Sequence, residues 1–449
     1  MVSVALGDVA EVISGVGFPK KLQGSSDGEV PVFKVGDISN AIKNGTHFLR
    51  KSSNNLSKAD AHKLSKTLMP TGTIVFAKIG EGLKLNRRAV LSQPSLVDNN
   101  VMGLAPKAGV ATSSYLYYFM QTVDLGTLSR ATAVPSVRKS DVVELPVPLL
   151  PLAQQNEIVA EIEKQFSRLD EAVASLQRVK ANLNRYKASV LKDAVEGRLV
   201  PTEAELARRE GRSFETGQQL LKRILEMRRT EWNGQGKFKE SASPVAANLP
   251  SLPAGWTWAT MPQLGELNRG KSKHRPRDDA ALYGGPYPFI QTGDVRRSDG
   301  SITAHSQTYS EVGLQQSRLW PVGTLCITIA ANIAETGILK LEACFPDSVV
   351  GFVASQGYPT TEYVEFFIRT ARDGLDRFAS ATAQKNINLE VLTAVAVPTP
   401  PLAEQHRIVA EVDRRLSLVR GVETEVDANL KRAQALRQSM LRSVFSLPK

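Results

Sequence analysis

The chain has 449 residues, 42% of them hydrophobic, which allows several packed cores and excludes a disordered protein. Its formal net charge of +11 favours a polyanionic partner, nucleic acid before a membrane surface, although a merely basic protein would show the same excess. No apolar run reaches the roughly 18 residues that a membrane span needs, so we expect no membrane partner.

Residues 1–147 are predicted to form a first domain of mixed α/β structure. The stretch "TGTIVFAKIG" is typical of a buried strand, because β-branched residues follow a Pro-x-Gly turn. The stretch "SSYLYYFMQT" has helical spacing and begins with a serine that could cap a helix. Gly, Asn and Ser residues between such segments predict long loops.

Residues 148–200 are predicted to form a long helix. Proline disfavours helix in the residue before it, so the helix begins after Pro151, and neither Pro nor Gly interrupts it before Gly197. From Ile158 to Val190, apolar residues recur mostly in alternating steps of four and three, which is a heptad-like seam. A narrow seam on a helix about 60 Å long predicts a partner helix. The alternative is a helix that lies on its own domain.

Residues 201–249 are predicted to form a connector. It contains a basic amphipathic helix, "GQQLLKRILEMRRTEW", and a linker rich in Gly, Ser, Ala and Pro. Six basic side chains of the connector are candidates for contact with DNA or an acidic partner: Arg208, Arg209, Lys222, Arg223, Arg228 and Arg229. A charged helix face is more often simply solvated, and that interpretation stays open.

Residues 250–397 and 398–449 repeat the arrangement as a second domain and a second long helix. The stretch "VPLLPLAQQNEIVAEIE" returns 250 positions later as "VPTPPLAEQHRIVAEVD", without a gap. Weaker echoes join the two domains, such as "VPVFKVGDIS" with "YPFIQTGDVR". A period this long indicates a duplicated half rather than a solenoid. Because duplicated halves tend to meet about a two-fold axis, we expect the seam from Ile408 to Met440 to pack antiparallel on the first.

The stretch "GELNRGKS", Gly265–Ser272, satisfies the P-loop pattern but lacks its context. A P-loop needs a buried strand before it and a helix after it, whose N-terminal amides hold phosphate. Here two prolines and a turn precede the motif, and Pro276 with clustered charge follows it. We therefore interpret its basic residues as a loop that faces phosphates rather than as a nucleotide site.

No other catalytic constellation is visible in the sequence. It has no dinucleotide fingerprint, no paired-His metal motif and no nucleophile elbow. The two cysteines, Cys326 and Cys344, lie in neither a CxxC motif nor a Cys/His cluster. We predict no catalytic, cofactor-binding or metal-binding residues, and a reducing compartment, the cytoplasm.

Several motifs in a fixed order carry a resemblance to a known family. They are the two "PLAxQ" helix starts, "LKDAVEGRLVP" at the end of the first helix, "LPAGWTW" at the start of the second half, and "ATAQKNI" before the second helix. With the duplication, this layout resembles the specificity (S) subunit of Type I restriction–modification systems over the whole chain.

The resemblance implies a fold and a set of partners. The fold class is α/β (mixed α+β), with two target recognition domains separated by two long antiparallel coiled-coil helices in a pseudo-two-fold duplication. Each domain would read one half of a bipartite site in double-stranded DNA. The helices would set the spacer and dock two methyltransferase (M) subunits. S-adenosylmethionine would bind the M subunits, and ATP and Mg the restriction (R) subunits. The chain itself would have no cofactor and no enzyme activity.

DNA-binding candidates follow from the chemistry of readout. Base reading needs Arg, Lys, Asn or Gln side chains in the major groove, with Lys or Arg on phosphates beside them. In the first domain the candidates are Lys78, Lys84, Asn86, Arg87, Arg88, Ser136, Arg138 and Lys139. In the second domain they are Lys273, Arg275, Arg277, Arg296, Arg297, Asn332, Gln384 and Lys385. Ordinary surface charge is the alternative for each. The first domain has "ATAVPSVRKSD" where the second has "ATAQKNINLE", so Pro135 excludes identical loops.

Two other functions remain open from the sequence. A stand-alone or orphan sequence-specific DNA-binding protein shares every residue argument, and a methyltransferase that co-purifies with the chain would exclude it. A P-loop nucleotide hydrolase is less consistent with the sequence. An ATPase assay with Lys271→Ala as the control would detect it.

Overall fold

A computed structural model describes most of the chain. The described residues are 2–25, 27–129, 135–232, 238–245, 249–273, 276–330, 333–356, 358, 360–380 and 387–446, with the backbone alone for residues 373–380. The chain forms two compact units, residues 1–178 with 426–449 and residues 179–425. Each unit contains one globular domain and parts of both long helices, α7 (Leu152–Val195) and α15 (Leu402–Phe445).

The first domain is built on a five-stranded sheet. In chain order its elements are β1 (Val2–Ala5), α1 (Leu6–Val9), β2 (Ala10–Ser14), β3 (Val30–Phe33), α2 (Val35–Lys43), β4 (Phe48–Leu49), β5 (Asn55–Leu56), α3 (Lys58–Leu64), β6 (Ile74–Ala77), α4 (Glu81–Lys84), β7 (Arg88–Leu91), β8 (Leu96–Val97), β9 (Val101–Pro106), α5 (Ser113–Thr122), α6 (Lys139–Val143) and β10 (Pro146–Leu149). The sheet order is β2-β9-β6-β7-β4, with β4 parallel to β7. All four residues of β6 are buried, as expected for a strand of β-branched and aromatic residues inside a sheet.

The second domain repeats this topology. After the connector helices α8 (Glu203–Glu210) and α9 (Gly217–Thr230), its elements are β11 (Thr257–Thr260), α10 (Met261–Leu264), β12 (Gly265–Arg269), β13 (Tyr283–Phe289), α11 (Thr292–Arg297), β14 (Gly300–Ile302), β15 (Gln307–Tyr309), α12 (Glu311–Gln315), β16 (Leu325–Thr328), β17 (Thr336–Leu339), β18 (Val349–Ala354), α13 (Thr361–Ser380), α14 (Leu389–Ala394) and β19 (Ala396–Thr399). Its sheet order, β12-β18-β16-β17-β14, matches that of the first domain strand for strand, including the parallel pair β14 and β17. The mixed α/β fold class and the internal duplication are therefore confirmed.

A buried glutamine explains why the "PLAxQ" helix start occurs twice. Gln155, in the first turn of α7, accepts a hydrogen bond from the Thr112 backbone N–H (3.0 Å) and donates to the carbonyls of Val110 and Leu150 (both 2.8 Å). Gln405, its counterpart in α15, accepts from the Thr360 hydroxyl and donates to the Pro400 carbonyl. Each glutamine thus pairs polar groups at the point where the domain meets its helix, and such groups are costly to bury unpaired.

In the first unit, the start of α7 packs against the end of α15. Arg437 of α15 forms an ion pair with Asp170 of α7 (3.0 Å), and its guanidinium carbon lies 4.3 Å from the centre of the Phe166 ring. Phe445 packs on Tyr115 of the domain at a ring-centre distance of 5.2 Å. The two helix segments of this unit therefore run antiparallel, as predicted.

In the second unit, the end of α7 packs against the start of α15. Lys187 and Glu423 form an ion pair of 2.8 Å across the two helices. Val190 of α7 and Val412 of α15 share the hydrophobic core of the second domain. The antiparallel arrangement therefore recurs with the roles of the two helices exchanged.

The predicted apolar seams are not buried along their whole length. Ile162, Phe166, Ile408, Val412 and Leu416 are buried. In contrast, four seam residues remain 40–51% exposed: Val179, Tyr186, Val422 and Leu436. Three more seam residues of α15, Val419, Val426 and Ala433, are buried but belong to neither domain core, so burial along the seam does not depend on a domain alone. Among the described residues, no helix combines the length and apolar character that crossing a membrane requires.

The connector contains two helices, α8 and α9, that pack within the second unit. The Glu203 carboxylate lies 2.6 Å from both Arg212 and Arg407. The Glu404 carboxylate accepts hydrogen bonds from the Glu203 N–H (2.8 Å) and from Trp256 Nε1 (3.0 Å). These paired charges attach the start of α8 to the first turns of α15.

The glutamine contacts generate a stability prediction. In Gln155→Leu the Thr112 N–H and two carbonyls lose their partner, so the free energy of unfolding should fall by about 1–3 kcal/mol for each buried group left unpaired. The neighbouring Gln154→Leu is the matched control, because Gln154 is exposed. Chemical denaturation measures both variants. Equal stability of the two would show that the buried glutamine does not hold the junction.

Candidate nucleic-acid interface

Backbone hydrogen bonds bring two candidate segments of the first domain together. The Val137 N–H donates to the Lys78 carbonyl (2.9 Å), and the Gly80 N–H donates to the Pro135 carbonyl (2.8 Å). Residues 78–80 follow β6, and residues 135–137 precede α6. We call this arrangement the first paired loop. It places the candidates Lys78, Ser136, Arg138 and Lys139 on or beside one short ladder, and Arg138 and Lys139 are exposed.

The second domain has an equivalent pairing, here called the second paired loop. The Ile387 N–H donates to the Ile329 carbonyl (3.2 Å), and Ile329 directly follows β16 as Lys78 directly follows β6. Three candidates fall on this part of the chain, Asn332, Gln384 and Lys385, but they lie outside the described residues, as does Arg275. The pairing itself shows that both domains bring the same two segments together.

A strained residue occupies the same place in both domains. Asn86 and Ala334 each lie two residues before the strand that follows the paired loop, and both have positive φ angles, 52° and 56°. Non-glycine residues rarely adopt this left-handed conformation, and alanine has no side-chain group to compensate it. Strain kept at equivalent positions of two diverged domains is consistent with a functional loop.

Two candidates of the first domain prove to have structural roles. Arg88 is 1% exposed, and its guanidinium donates to the Asn86 carbonyl, to Asn86 Oδ1 (2.9 Å) and to the Val123 carbonyl (2.5 Å). Burial lowers the pKa of the guanidinium to about 10. Asn86 donates to the same Val123 carbonyl (3.1 Å). Val123 is the residue that ends α5, and a cation beside its carbonyl is favourable because it lies at the negative end of the helix dipole. Arg88 is thus buried in a structural role at the end of α5, and its position does not support the predicted DNA contact.

Arg87, the residue before Arg88, has its side chain on the opposite side of the sheet. It is partly exposed, because successive residues at a strand start point to opposite sides of the sheet. Lys84 is exposed at the end of α4 and pairs with Glu81 (2.5 Å) on the same helix. Exposed ion pairs are weak, so Lys84 can exchange this partner for a phosphate.

Two basic candidates of the second domain, Arg277 and Arg297, have acidic neighbours. Arg277 bonds both oxygens of Asp347 (3.0 Å each), and Arg297 pairs with Asp294 (2.7 Å) at the end of α11. Arg296 lies beside it and is exposed. Lys273 is exposed, and its backbone N–H donates to the Gln316 side chain (2.5 Å). No described contact joins these side chains to the second paired loop.

The basic residues of the connector are largely engaged within the chain. Arg223 makes two bonds to Glu215 (2.8 and 3.0 Å), Arg229 pairs with Glu240, and Lys222 lies 3.9 Å from Glu226. Arg228 donates to the Pro262 carbonyl, and burial lowers its pKa. Arg208 and Arg209 are exposed at the end of α8. These contacts favour a structural or solvated role for the basic residues of α8 and α9 over a role in binding a polyanion.

Two exposed apolar residues that sequence reasoning missed lie beside candidates of the first domain. Ile79, in the first paired loop, is 37% exposed, and Leu85, between Lys84 and Arg87, is 52% exposed. Apolar side chains contact the methyl group of thymine in the major groove. Their positions are the signal by which the sequence could have identified them. Ile79 lies just after β6 and Leu85 just after α4, so each is outside a regular element.

The P-loop-like stretch does not form a phosphate-binding loop. Gly265–Arg269 is strand β12, paired antiparallel with β18. The next two amides, Gly270 and Lys271, donate to the carbonyls of Val349 and Phe345. These amides are therefore not available to a phosphate. Within the described residues, no group of three or more His, Cys, Asp or Glu side chains could hold a metal ion.

Comparison with known proteins identifies two matching regions. The Type I restriction modification DNA specificity domain matches residues 1–185 and 253–425. The Escherichia coli Type I restriction enzyme EcoDI specificity subunit is 24% identical over 328 residues, which cover 70% of this chain and 65% of that subunit. The EcoBI specificity subunit of the same species is 20% identical over 98% of this chain and 85% of its own length.

The fold also matches a solved structure. A chain from a structural study of complex assembly and conformational transition of the type I R-M system superposes with a TM-score of 0.65. The match has 18% sequence identity and covers 98% of this chain and 96% of the other, so it supports the fold alone. Because the specificity domain matches well over half of the residues, in two copies, this chain belongs to the Type I restriction–modification DNA specificity family.

Proposed function

We propose that the chain is the DNA-recognition subunit of a Type I restriction–modification complex. The observation that carries the proposal is the paired loop, which recurs in both domains and which in the first domain lies next to the exposed Arg138 and Lys139. Each domain reads one half of a bipartite site in double-stranded DNA. The first domain uses Lys78, Arg87, Ser136, Arg138 and Lys139, together with Ile79 and Leu85. The second domain uses the segments around residues 329–335 and 381–387, with Lys273 and Arg296 on phosphates.

The long helices serve as the spacer between the two readers. Each has 44 residues, which corresponds to about 66 Å at a rise of about 1.5 Å per residue. Exposed apolar residues on α7 and α15, among them Val179 and Val422, provide surface for two methyltransferase subunits. Restriction subunits join that core.

The chemistry belongs to the partners. The chain acts as a non-catalytic subunit in the cytoplasm and holds no cofactor of its own. S-adenosylmethionine binds the methyltransferase subunits, and ATP with Mg binds the restriction subunits. In this arrangement the chain selects the DNA site at which the others act.

Co-expression with the methyltransferase from the same genome tests the proposal directly. The complex should methylate DNA at one bipartite sequence, which mapping of modified bases reveals. A chain that binds a specific sequence without any methyltransferase in the purified complex would instead be a stand-alone DNA-binding protein. ATP hydrolysis by the chain alone, lost in Lys271→Ala, would contradict the non-catalytic assignment.

A charge prediction follows from the first paired loop. Replacing Arg138 and Lys139 together by alanine should weaken DNA binding by the assembled complex. The slope of log affinity against log salt should also become shallower by about 1 for each phosphate that the variant no longer binds. Titration of labelled duplex at several salt concentrations measures both effects.

The matched control removes the same charge from the same domain. Lys20 and Lys21 are exposed on a separate turn, Lys20–Leu22, and their double alanine variant should bind nearly as the wild type does. A salt slope that changes equally in both double variants would mean that net charge, and not the paired loop, governs binding.

A second prediction concerns the independence of the two readers. Replacing residues 1–147 by the equivalent domain of another specificity subunit should change one half-site and leave the other intact. The reason is that the differing loops read bases, whereas the shared elements form the scaffold. Methylation mapping on genomic DNA gives the result, and a chimera that alters both half-sites would refute the proposed division.

A further inference from the structure

A short loop of the first domain, residues 84–87, joins α4 to β7 and carries three side chains that solvent reaches. Lys84 and Leu85 are exposed, and Arg87 is partly exposed. In the proposed function Leu85 and Arg87 contact DNA. The direction in which they point depends on what holds the backbone of this loop.

The side chain of Asn86 attaches the loop to the segment that follows α5. Its Oδ1 accepts hydrogen bonds from the Leu125 N–H (3.2 Å) and from Arg88 Nη2 (2.9 Å), and its Nδ2 donates to the Val123 carbonyl (3.1 Å). Arg88 donates to the same Val123 carbonyl (2.5 Å). The loop is therefore held by a small network of bonds in which Asn86 takes part with both atoms of its amide.

The backbone at Asn86 also favours this residue type. Its φ angle of 52° lies in the left-handed region, which asparagine adopts more readily than most other residues. The amide provides an acceptor and a donor on one short side chain. Asparagine thus supplies both the conformation of the loop and the bonds that hold it.

The segment after α5 contacts the first paired loop as well. The Ser136 N–H donates to Ser129 Oγ (3.0 Å), and the Gly80 N–H donates to the Pro135 carbonyl (2.8 Å). Asn86 therefore lies at one end of a connected group of loops whose other end is the first paired loop. The side chains proposed to read DNA stand at both ends of this group.

The second domain holds its equivalent loop in another way. Ala334 has the same left-handed conformation but no polar side chain, and its N–H donates to the Thr328 carbonyl at the end of β16 (2.8 Å). The next residue, Glu335, pairs with Arg372 of α13 (3.0 Å). Because α13 has 20 residues and α5 has 10, this contact is made to a helix and not to a segment after it. The role of Asn86 thus belongs to the first domain.

We infer that Asn86 is a positioning residue for base reading by the first domain. The bonds that its Oδ1 accepts fix Leu85 and Arg87 relative to the first paired loop, and this placement determines how well the first half-site is discriminated. Asn86 acts through its neighbours and needs no contact with DNA. The inference rests on the proposed function where it concerns the half-site, whereas the holding of the loop rests on the hydrogen bonds alone.

Two substitutions separate the conformation of Asn86 from its bonds. Asn86→Gly keeps the left-handed backbone and removes every side-chain bond, whereas Asn86→Asp also keeps the oxygen that accepts from Leu125 and Arg88. Tyr115→Phe is the matched control. It removes one buried hydrogen bond of the same domain, from the Tyr115 hydroxyl to the Pro148 carbonyl (2.7 Å), beside the start of α7.

Hydrogen exchange measures the holding of the loop in the chain without DNA. In Asn86→Gly the Leu125 N–H loses its acceptor, so the amides of residues 84–87 and 123–129 should exchange faster than in the wild type, by about tenfold. Asn86→Asp should stay close to the wild type, and Tyr115→Phe should leave these amides unchanged. Equal exchange in the wild type and in Asn86→Gly would overturn the inference.

Methylation by the full complex, with its methyltransferase subunits, measures the effect on base reading. Rates are compared between the mapped site and sites with single base changes in either half. Asn86→Gly should lose about tenfold in discrimination at the first half-site and none at the second. Asn86→Asp should retain most of it, and Tyr115→Phe should discriminate as the wild type does. Because discrimination is a ratio of rates, a smaller amount of active complex does not change it.

Two results in this assay would overturn the inference. Full discrimination in Asn86→Gly would mean that the loop does not determine base reading, even if its amides exchange faster. Discrimination as poor in Asn86→Asp as in Asn86→Gly would mean that the bonds to Oδ1 are not the cause. A wild-type complex that methylates no bipartite site would instead contradict the proposed function, and the exchange rates would still test whether Asn86 holds the loop.

Discussion

The need to pair buried polar groups where a domain passes into its helix is the constraint on which this protein depends. Gln155 and Gln405 meet it with one side chain each, through bonds to the residues just before the helix and to the loop at the start of α5 or α13. Each long helix therefore leaves its domain at a defined point. The antiparallel packing of the helices, the ion pairs between them and the positions of the paired loops all require that the first turn of each helix is held in place.

Much of the fold was predictable because its signals are local or repeated. The "PLAxQ" starts, the buried strand β6 and the 250-residue repeat all depend on residue type and spacing, which the sequence displays directly. The connector was predicted less well. Its basic helix was visible, but the pairing of Glu203 with Arg407 joins residues far apart in the chain, and no spacing rule reports such a contact.

The candidate interface shows where the sequence lacks information. Arg87 and Arg88 are adjacent and chemically identical, yet one is partly exposed and the other caps α5 from inside the domain. Strand geometry decides between them, and the start of β7 had to be known to one residue. The paired loops depend on hydrogen bonds between segments more than 50 residues apart, so only the three-dimensional structure brings Lys78 beside Val137.

The packing of Phe445 on Tyr115 and Phe119 has a consequence for the order of events during synthesis. The first domain emerges from the ribosome before the second, but part of its hydrophobic core, Leu441 with Phe445, is translated only after the whole second domain. Until then, the aromatic face of α5 remains open. The nascent chain must therefore carry an incomplete first-domain core while the connector and the second domain are made, a stage at which chaperones can bind and misfolding can begin.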